Sequence, residues 1–220
     1  MIRKALFILT LVLFSSVIGC ATTPHKDYTK FREEDPISIL VVPVVNRSVD
    51  VNAPDYFLST ISRPVAERGY YVYPVNLVKW ILENDGLSDA DLVHSADPTR
   101  LRELFGTDSI LYISIERWDA KYAVFSTTVT VEFRYILKSG KTGETLWNAS
   151  ERMVYQPQSN SSGNPLANLI AQAVVAAITK AAPNYTPLAR QANQMAVTKS
   201  HSGLPAGHYK EEHGKDTDQF

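Results

Sequence analysis

The hydrophobic pattern along the chain changes period more than once. Residues 37–45, ISILVVPVV, are almost uninterruptedly apolar and β-branched, the pattern of a strand buried on both faces in a sheet interior with helices over it. Pro43 cannot donate to a ladder, so it belongs at a strand end or in a bulge. After the loop NRSVDVNAP the period becomes helical. Asp55–Arg68 sets Phe57, Ile61 and Val65 on one face, Pro64 predicts a kink, and Gly69 closes the segment. Tyr70–Tyr73 reads as a short strand ended by Pro74, and Asn76–Glu83 as a helix carrying Leu77, Val78, Trp80 and Ile81. Two further helix starts are written in capping chemistry. Ser88-Asp89-Ala90-Asp91 has capping-box spacing, and Asp97-Pro98 puts an N-cap before a proline in the first turn, leading to Leu101, Leu104, Phe105 and a closing Gly106.

From Asp108 to Tyr155 the period falls to two. Phe125, Thr127, Val129, Val131, Phe133 and Tyr135 alternate with Ser126, Thr128, Thr130, Glu132 and Arg134, which predicts a long antiparallel strand with one wet face. SILYISIERWDAK precedes it, and ETLWNASERMVY follows through the glycine-rich turn KSGKTG, so three consecutive antiparallel strands are expected. An alanine-rich helix is expected over Asn164–Ala182 and a last one from Thr186-Pro187 to about Val197. Residues 198–220 offer few residues to bury and read as a disordered tail. Residues 21–36, ATTPHKDYTKFREEDP, read as a flexible tether reaching about 20–24 Å. The fold class is α/β (α+β): a mixed sheet with helices packed on it over residues 37–197, ending in a three-stranded antiparallel meander and C-terminal helices.

The N-terminus adds a location. Arg3 and Lys4 precede an apolar stretch of fourteen residues, Ala5–Ile18, shorter than the roughly twenty that a membrane-spanning helix needs. That is a secretory signal segment over residues 1–19. Val17-Ile18-Gly19-Cys20 resembles the lipobox of bacterial lipoproteins, in which cleavage falls between Gly19 and Cys20 and the cysteine is lipidated. The resemblance implies a diacylglyceryl thioether and an N-acyl chain (palmitate class) on Cys20. Three chains at about 0.8 kcal/mol per buried methylene make release negligible. Ala21 stands where lipoproteins retained in the inner membrane show aspartate, so the sorting rule points to the outer membrane, with the periplasmic face expected rather than the cell surface.

Loss of residues 1–19 leaves 201 residues and a formal charge balance of −3, with twenty basic against twenty-three acidic side chains. No basic field exists to hold nucleic acid. Cys20 is the only cysteine, which excludes an internal disulfide and a thiolate zinc site.

Catalytic patterns are not met. Gly140-Lys141-Thr142 imitates the end of a phosphate-binding loop, but Tyr135 replaces its first glycine and a strand follows instead of a helix. The carboxylates of Asn84–Asp91 have the wrong order for a calcium loop and suit helix capping. His94, Ser95 and Asp97 lie too close in sequence to form a triad and read as surface capping. His25, His201, His208 and His213 lie in the tether and tail, where a ligand set needs support that a disordered segment cannot supply, so no metal and no cofactor are expected. Trp80, Trp118 and Trp147 are expected in the core.

The element order, the opening ILVVPVVNRS and the hairpin Thr142-Gly143-Glu144-Thr145-Leu146-Trp147 resemble the periplasmic domain shared by the TolB N-terminal domain, CsgG and LpoB. PDYFLSTISRPVAERGYYVYPV with NDGLSDADLVHSADP looks like a family of proteobacterial lipoproteins with no assigned activity, one member of which has been considered as a vaccine antigen. That resemblance spans residues 20–197 and implies a CsgG-like lipoprotein as partner. The expected function is a non-enzymatic outer-membrane lipoprotein acting as an accessory or scaffold in an envelope transport or assembly complex. The alternatives are a subunit of an oligomeric pore, for which Phe125–Leu137 has the length of a transmembrane strand, and a cell-wall synthase regulator like LpoB. A homo-oligomer is retained among the expected assemblies.

Replacing Cys20 by serine tests the anchor. Cys20→Ser should accumulate as the uncleaved precursor, larger by the signal segment in gel mobility, and should lose the outer-membrane fraction on density-gradient separation.

Overall fold

The computed structural model describes residues 26–123, 126–155 and 185–220. The signal segment, Cys20 and the alanine-rich helix expected over Asn164–Ala182 lie outside the described residues. The apolar run after Pro36 forms two strands, β1 (Ser38–Val41) and β2 (Val45–Asn46), because Pro43 interrupts the ladder where the sequence requires it to. An earlier helix, α1 (Thr29–Glu34), occupies part of the expected tether. Helix α2 (Ala53–Glu67) begins two residues before the expected start and keeps Pro64 within it. Then come β3 (Tyr71–Val72), α3 (Val75–Asn84), α4 (Ala90–Ser95) and α5 (Pro98–Phe105). Asp97 caps α5 through Thr99 N–H as the sequence predicts, and Gly106 ends it at φ +71°. In α4 the cap is Asp89, one residue beyond the expected Ser88, with its carboxylate accepting from Asp91 N–H at 2.8 Å. Strands β4 (Ser109–Ala123), β5 (Ser126–Ser139) and β6 (Thr145–Tyr155) form the meander, and α6 (Thr186–Thr198) follows.

The strand order is β3-β1-β4-β5-β6, with β2 also on β4. β1 pairs in parallel with β3 and β4, whereas β4–β5 and β5–β6 are antiparallel. The connection from β1 to β3 steps one way, and that from β3 to β4 steps back across β1. Right-handed crossovers in opposite directions must place their helices on opposite faces. Accordingly α2 lies over one face, joined by α6, and α3–α5 lie over the other. β1 is therefore buried on both sides, with Ile39 and Val41 facing α2 and Leu40 and Val42 facing α3 and α4.

Parity in the meander is managed by bulges. The alternation along β4 runs through Leu111, Ile113 and Ile115 on the α2 face, and unbroken it would turn Arg117 into the core. A bulge between Ile115 and Arg117 shifts the phase by one residue, so Trp118 takes the buried position opposite Val131. Glu116 and Arg117 stay on the other face, in range of Arg134 (4.0 Å) and Glu132 (3.9 Å). A second irregularity, at Leu146 in β6, lets Leu146 and Trp147 both enter the core. On β5, Val129, Val131, Phe133, Tyr135 and Leu137 are fully buried against the helices. From Val129 to Leu137, the apolar face of the strand proposed to span a membrane is thus the domain core.

One polar chain crosses this core. Tyr135 Oη donates to Asn193 Oδ1 (2.7 Å), Asn193 Nδ2 donates to Thr60 Oγ1 (2.8 Å), and Thr60 Oγ1 donates to the Phe57 carbonyl (2.6 Å). It ties β5 to α6 and α6 to α2, and burial raises the Tyr135 pKa well above its ordinary value. Asn193→Leu strands a buried phenol and should lower the urea unfolding free energy by about 1–3 kcal/mol. Adding Tyr135→Phe to that variant should cost little more, because the shared bond is already lost.

Candidate functional site

Residues 26–36 of the expected tether and the expected disordered tail are folded against each other, and for these residues both expectations are corrected; residues 21–25 lie outside the described residues. Tyr28 and Phe31 of the stem (residues 26–36) are buried, as are Leu204, Ala206 and Phe220 of the tail. Tyr28 meets Phe31 and Phe220 edge-on at centroid distances of 6.4 and 6.0 Å, and Phe31 meets Tyr70 at 6.4 Å. Few apolar residues are needed, because polar groups fix the tail backbone. Tyr28 Oη donates to the Gly203 carbonyl (2.6 Å) and Tyr70 Oη to the Pro205 carbonyl (2.7 Å). The Asp216 carboxylate, nearly inaccessible, accepts from Arg68 Nη2 at 3.1 Å and from Ala206 N–H at 2.6 Å, with Arg32 at 3.7 Å. The Arg68 guanidinium also lies 4.5 Å from the Phe220 ring centroid. Close approach of the tail to the α2–β3 turn demands glycine at Gly207, where a Cβ would sit 2.3 Å from the Gly69 carbonyl oxygen.

At one end of this junction three ligating side chains converge. Asp35 caps α1 in the left-handed region (φ +44°), its N–H donating to the Phe31 carbonyl. That conformation aims its carboxylate at the tail, where His208 Nε2 lies 3.0 Å from Oδ2 and His213 Nε2 lies 3.6 Å from Oδ1. The two imidazole rings are 4.1 Å apart at 32°, and ligand atoms of all three residues lie within 4.8 Å of one another. His213 Nδ1 is 3.0 Å from the Ala206 carbonyl oxygen. A cleft of about 200 Å³, bordered by Phe31, Arg32, Asp35, Ala206 and His213, opens beside them. The sequence placed both histidines in a segment without support. The signal that could have found them was the Gly203, Pro205 and Gly207 punctuation of a folded turn, not the histidine spacing.

The remaining sequence candidates are dispersed. Cys20 and Gly19 lie outside the described residues. Gly140, Lys141 and Thr142 form the tip of the β5–β6 hairpin, and Lys141 reaches Glu34 of the stem at 3.2 Å. His94 is not a surface cap. Its Nε2 lies 2.9 Å from the Pro43 carbonyl oxygen, its ring stands edge-on to Tyr112 at 5.2 Å, and burial lowers its pKa. Trp118 and Trp147 are in the core, but Trp80 is 61% exposed on α3, beside the exposed Leu77. Among the described residues no helix is long and apolar enough to cross a membrane.

Docking of the tail carries a pH dependence. Burial raises the pKa of both Tyr28 and Tyr70. The unfolded chain releases phenolic protons near pH 10, the folded chain only well above that, so their stabilisation is intact below pH about 10 and declines above it, by roughly 1.4 kcal/mol per pH unit and tyrosine. Protease cleavage of the tail should therefore accelerate above pH 10 before the domain unfolds. A Tyr28→Phe/Tyr70→Phe variant should show a flatter dependence over the same range.

With this geometry in view, the relatives are informative. A family model described as "Putative lipoprotein GNA1162-like" matches residues 26–208, which includes the stem from its first described residue. The protein named "Putative lipoprotein NMB1124/NMB1162" from Neisseria meningitidis serogroup B is 32% identical over 201 residues, covering 90% of this chain and 93% of its own. The crystal structure of lipoprotein GNA1162 from Neisseria meningitidis superposes with a TM-score of 0.55 at 34% identity, covering 65% of this chain and 98% of that one. The C-terminal domain of LpoB from Salmonella enterica is 19% identical with a TM-score of 0.38, over 57% of this chain and 91% of that one. On the strength of the family match and the meningococcal relative, the chain belongs to the GNA1162-like lipoprotein family.

Proposed function

We propose that the protein is a non-enzymatic lipoprotein of the outer membrane, held at its periplasmic face, that serves as a scaffold or accessory for other envelope proteins, a CsgG-like lipoprotein among them. The observation that carries this reading is the folded stem. Lys26 already belongs to the domain, since its N–H donates to the His201 carbonyl and its amine to the Asn148 carbonyl. Only residues 21–25 separate it from Cys20. Five residues span at most about 18 Å when fully extended, and less as a coil. The domain is therefore seated at the membrane surface instead of being suspended below it.

Such seating favours contact with neighbours that are themselves membrane-bound, because confinement to a thin layer raises their effective concentration. It disfavours a cell-wall synthase regulator of the LpoB kind, which needs reach. The pore alternative loses its main support as well, since the apolar side of β5 from Val129 to Leu137 is fully buried against α2 and α6.

The test separates anchoring from seating. Inserting about twenty glycine and serine residues between His25 and Lys26 leaves the lipid anchor and the domain intact while releasing the domain from the surface. Capture of the native partner in a mild-detergent pull-down should fall by roughly tenfold, the order of an effective-concentration loss. Unchanged capture would show that seating is irrelevant, and a hydrolytic turnover by the purified protein would sink the non-enzymatic reading.

A further inference from the structure

We infer that Asp35, His208 and His213 form a three-ligand site for a divalent transition-metal ion of the zinc class, which fastens the tail to the stem. The Ala206 carbonyl can only accept, so His213 Nδ1, 3.0 Å away, carries the hydrogen. In the neutral ring this leaves Nε2 with a bare lone pair, and that lone pair faces Asp35 Oδ1 at 3.6 Å. Two acceptors in this relation can share a cation. A metal-binding histidine is typically held in this way, with its second nitrogen donating to a carbonyl and so fixing tautomer and ring orientation.

The second ring brings a further ligand atom to the same carboxylate. His208 Nε2 is 3.0 Å from Asp35 Oδ2 and 3.3 Å from the Asp35 carbonyl oxygen, and its ring lies 4.1 Å from that of His213. A neutral His208 can meet these acceptors through an Nε2–H, so what favours a metal is the convergence itself, with one ligand atom from each of three residues within 4.8 Å of the others. One divalent ion bound by two neutral rings and the carboxylate takes up all three groups at once. The nearby Arg32 does not supply the missing charge, because its guanidinium is engaged by Asp216 and the Phe220 carbonyl oxygen.

Geometry and chemistry then define the ion. Tetrahedral zinc with bonds of about 2.0–2.1 Å sets its ligand atoms about 3.3 Å apart. His208 Nε2 lies 3.0 Å from Asp35 Oδ2 and His213 Nε2 lies 3.6 Å from Oδ1, with one ligand atom per residue within 4.8 Å of the others, so binding draws them together by up to about 1.5 Å. Two imidazoles with one carboxylate suit zinc and its neighbours, not calcium or magnesium, which take oxygen ligands, nor copper(I), which takes sulfur. Three protein ligands leave a fourth position for water. The backbone positions are secured independently: Asp35 by its helix cap, and the tail by Gly207 N–H on the Arg68 carbonyl and Tyr209 N–H on the Gly69 carbonyl. The ion would join residues 173 positions apart, closing a loop whose entropy is otherwise unfavourable.

The experiment uses the mature lipidated protein in detergent, stripped with a chelator and titrated with zinc chloride alone by calorimetry. Visible absorption with cobalt(II) serves as the coordination readout. One zinc per chain is expected, with affinity lowered at least about tenfold in Asp35→Asn, His208→Gln and His213→Gln and unchanged in His94→Gln, a decrement of the size that loss of even a supporting group causes. Zinc should also protect the tail from cleavage after Lys210 and Lys215 in the parent but not in these variants. Asp35→Asn is the decisive variant, because asparagine tolerates the left-handed backbone and circular dichroism can show that its fold is retained. No binding by the parent, or binding that all three ligand variants retain, overturns the site.

Discussion

A row of aromatic side chains on one face of the meander sets the terms for everything packed around it. Trp118, Phe133, Tyr135 and Trp147 run across β4, β5 and β6 with successive ring centroids 6.1, 6.4 and 6.1 Å apart. Each such side chain can bury about 150–250 Å², so leaving either end of the row open to water is expensive. α2 and α6 cover the middle, where Phe57 meets Phe133 at 4.7 Å. The Trp118 end is closed by Tyr56 and Tyr185. The Trp147 end is closed by the stem and tail, with Lys26 over the indole ring and Trp147 Nε1 donating to the Ser202 carbonyl. The bulge after Ile115 serves the same row, since only the phase shift brings Trp118 onto the face that Phe133 occupies.

Much of the fold was legible because it is encoded locally. The alternation over Val129–Tyr135, the Asp97-Pro98 start of α5 and the glycine-rich hairpin tip each specify their geometry within a few residues, and each forms as read. The stem and tail were misread because their order is not local. In residues 198–220 only a few apolar side chains are buried, a composition that looks unable to offset the entropy of folding. What holds the segment is a set of acceptors and donors satisfied by residues far away in sequence: Tyr28, Arg68 and Tyr70 on tail carbonyls, and Asp216 returned to Arg68 and Ala206. Composition counts what a segment can bury by itself and misses what the rest of the chain can hydrogen-bond. For the same reason His208 and His213 carried no motif, because their third companion is Asp35.

Trp80 shows the converse error. A tryptophan within an apolar helical run is a reasonable core residue, and Val78 and Leu82 of the same helix are indeed buried. A ten-residue helix has one face to offer a sheet, however, and Val78 and Leu82 at i, i+4 spacing take it. Leu77 and Trp80, displaced around the helix, are left outside. Hydrophobic content located the helix; only the position of the sheet could say which of its apolar residues were in surplus.

The order of the stem alters what a lipid anchor means for this domain. A flexible tether decouples a domain from its membrane and lets it sample orientations freely. Here residues 26–36 are pinned at both sides, by Lys30 on Glu144 and Lys141 on Glu34 as well as by the buried Tyr28 and Phe31. The exposed Lys30–Glu144 pair contributes little energy, whereas Glu34 of the second pair is largely buried. The tail, laid across the stem and held by the buried Asp216, braces the stem against the domain. The N-terminal and C-terminal segments therefore meet at one place on the surface, where each covers aromatic side chains that the other leaves open.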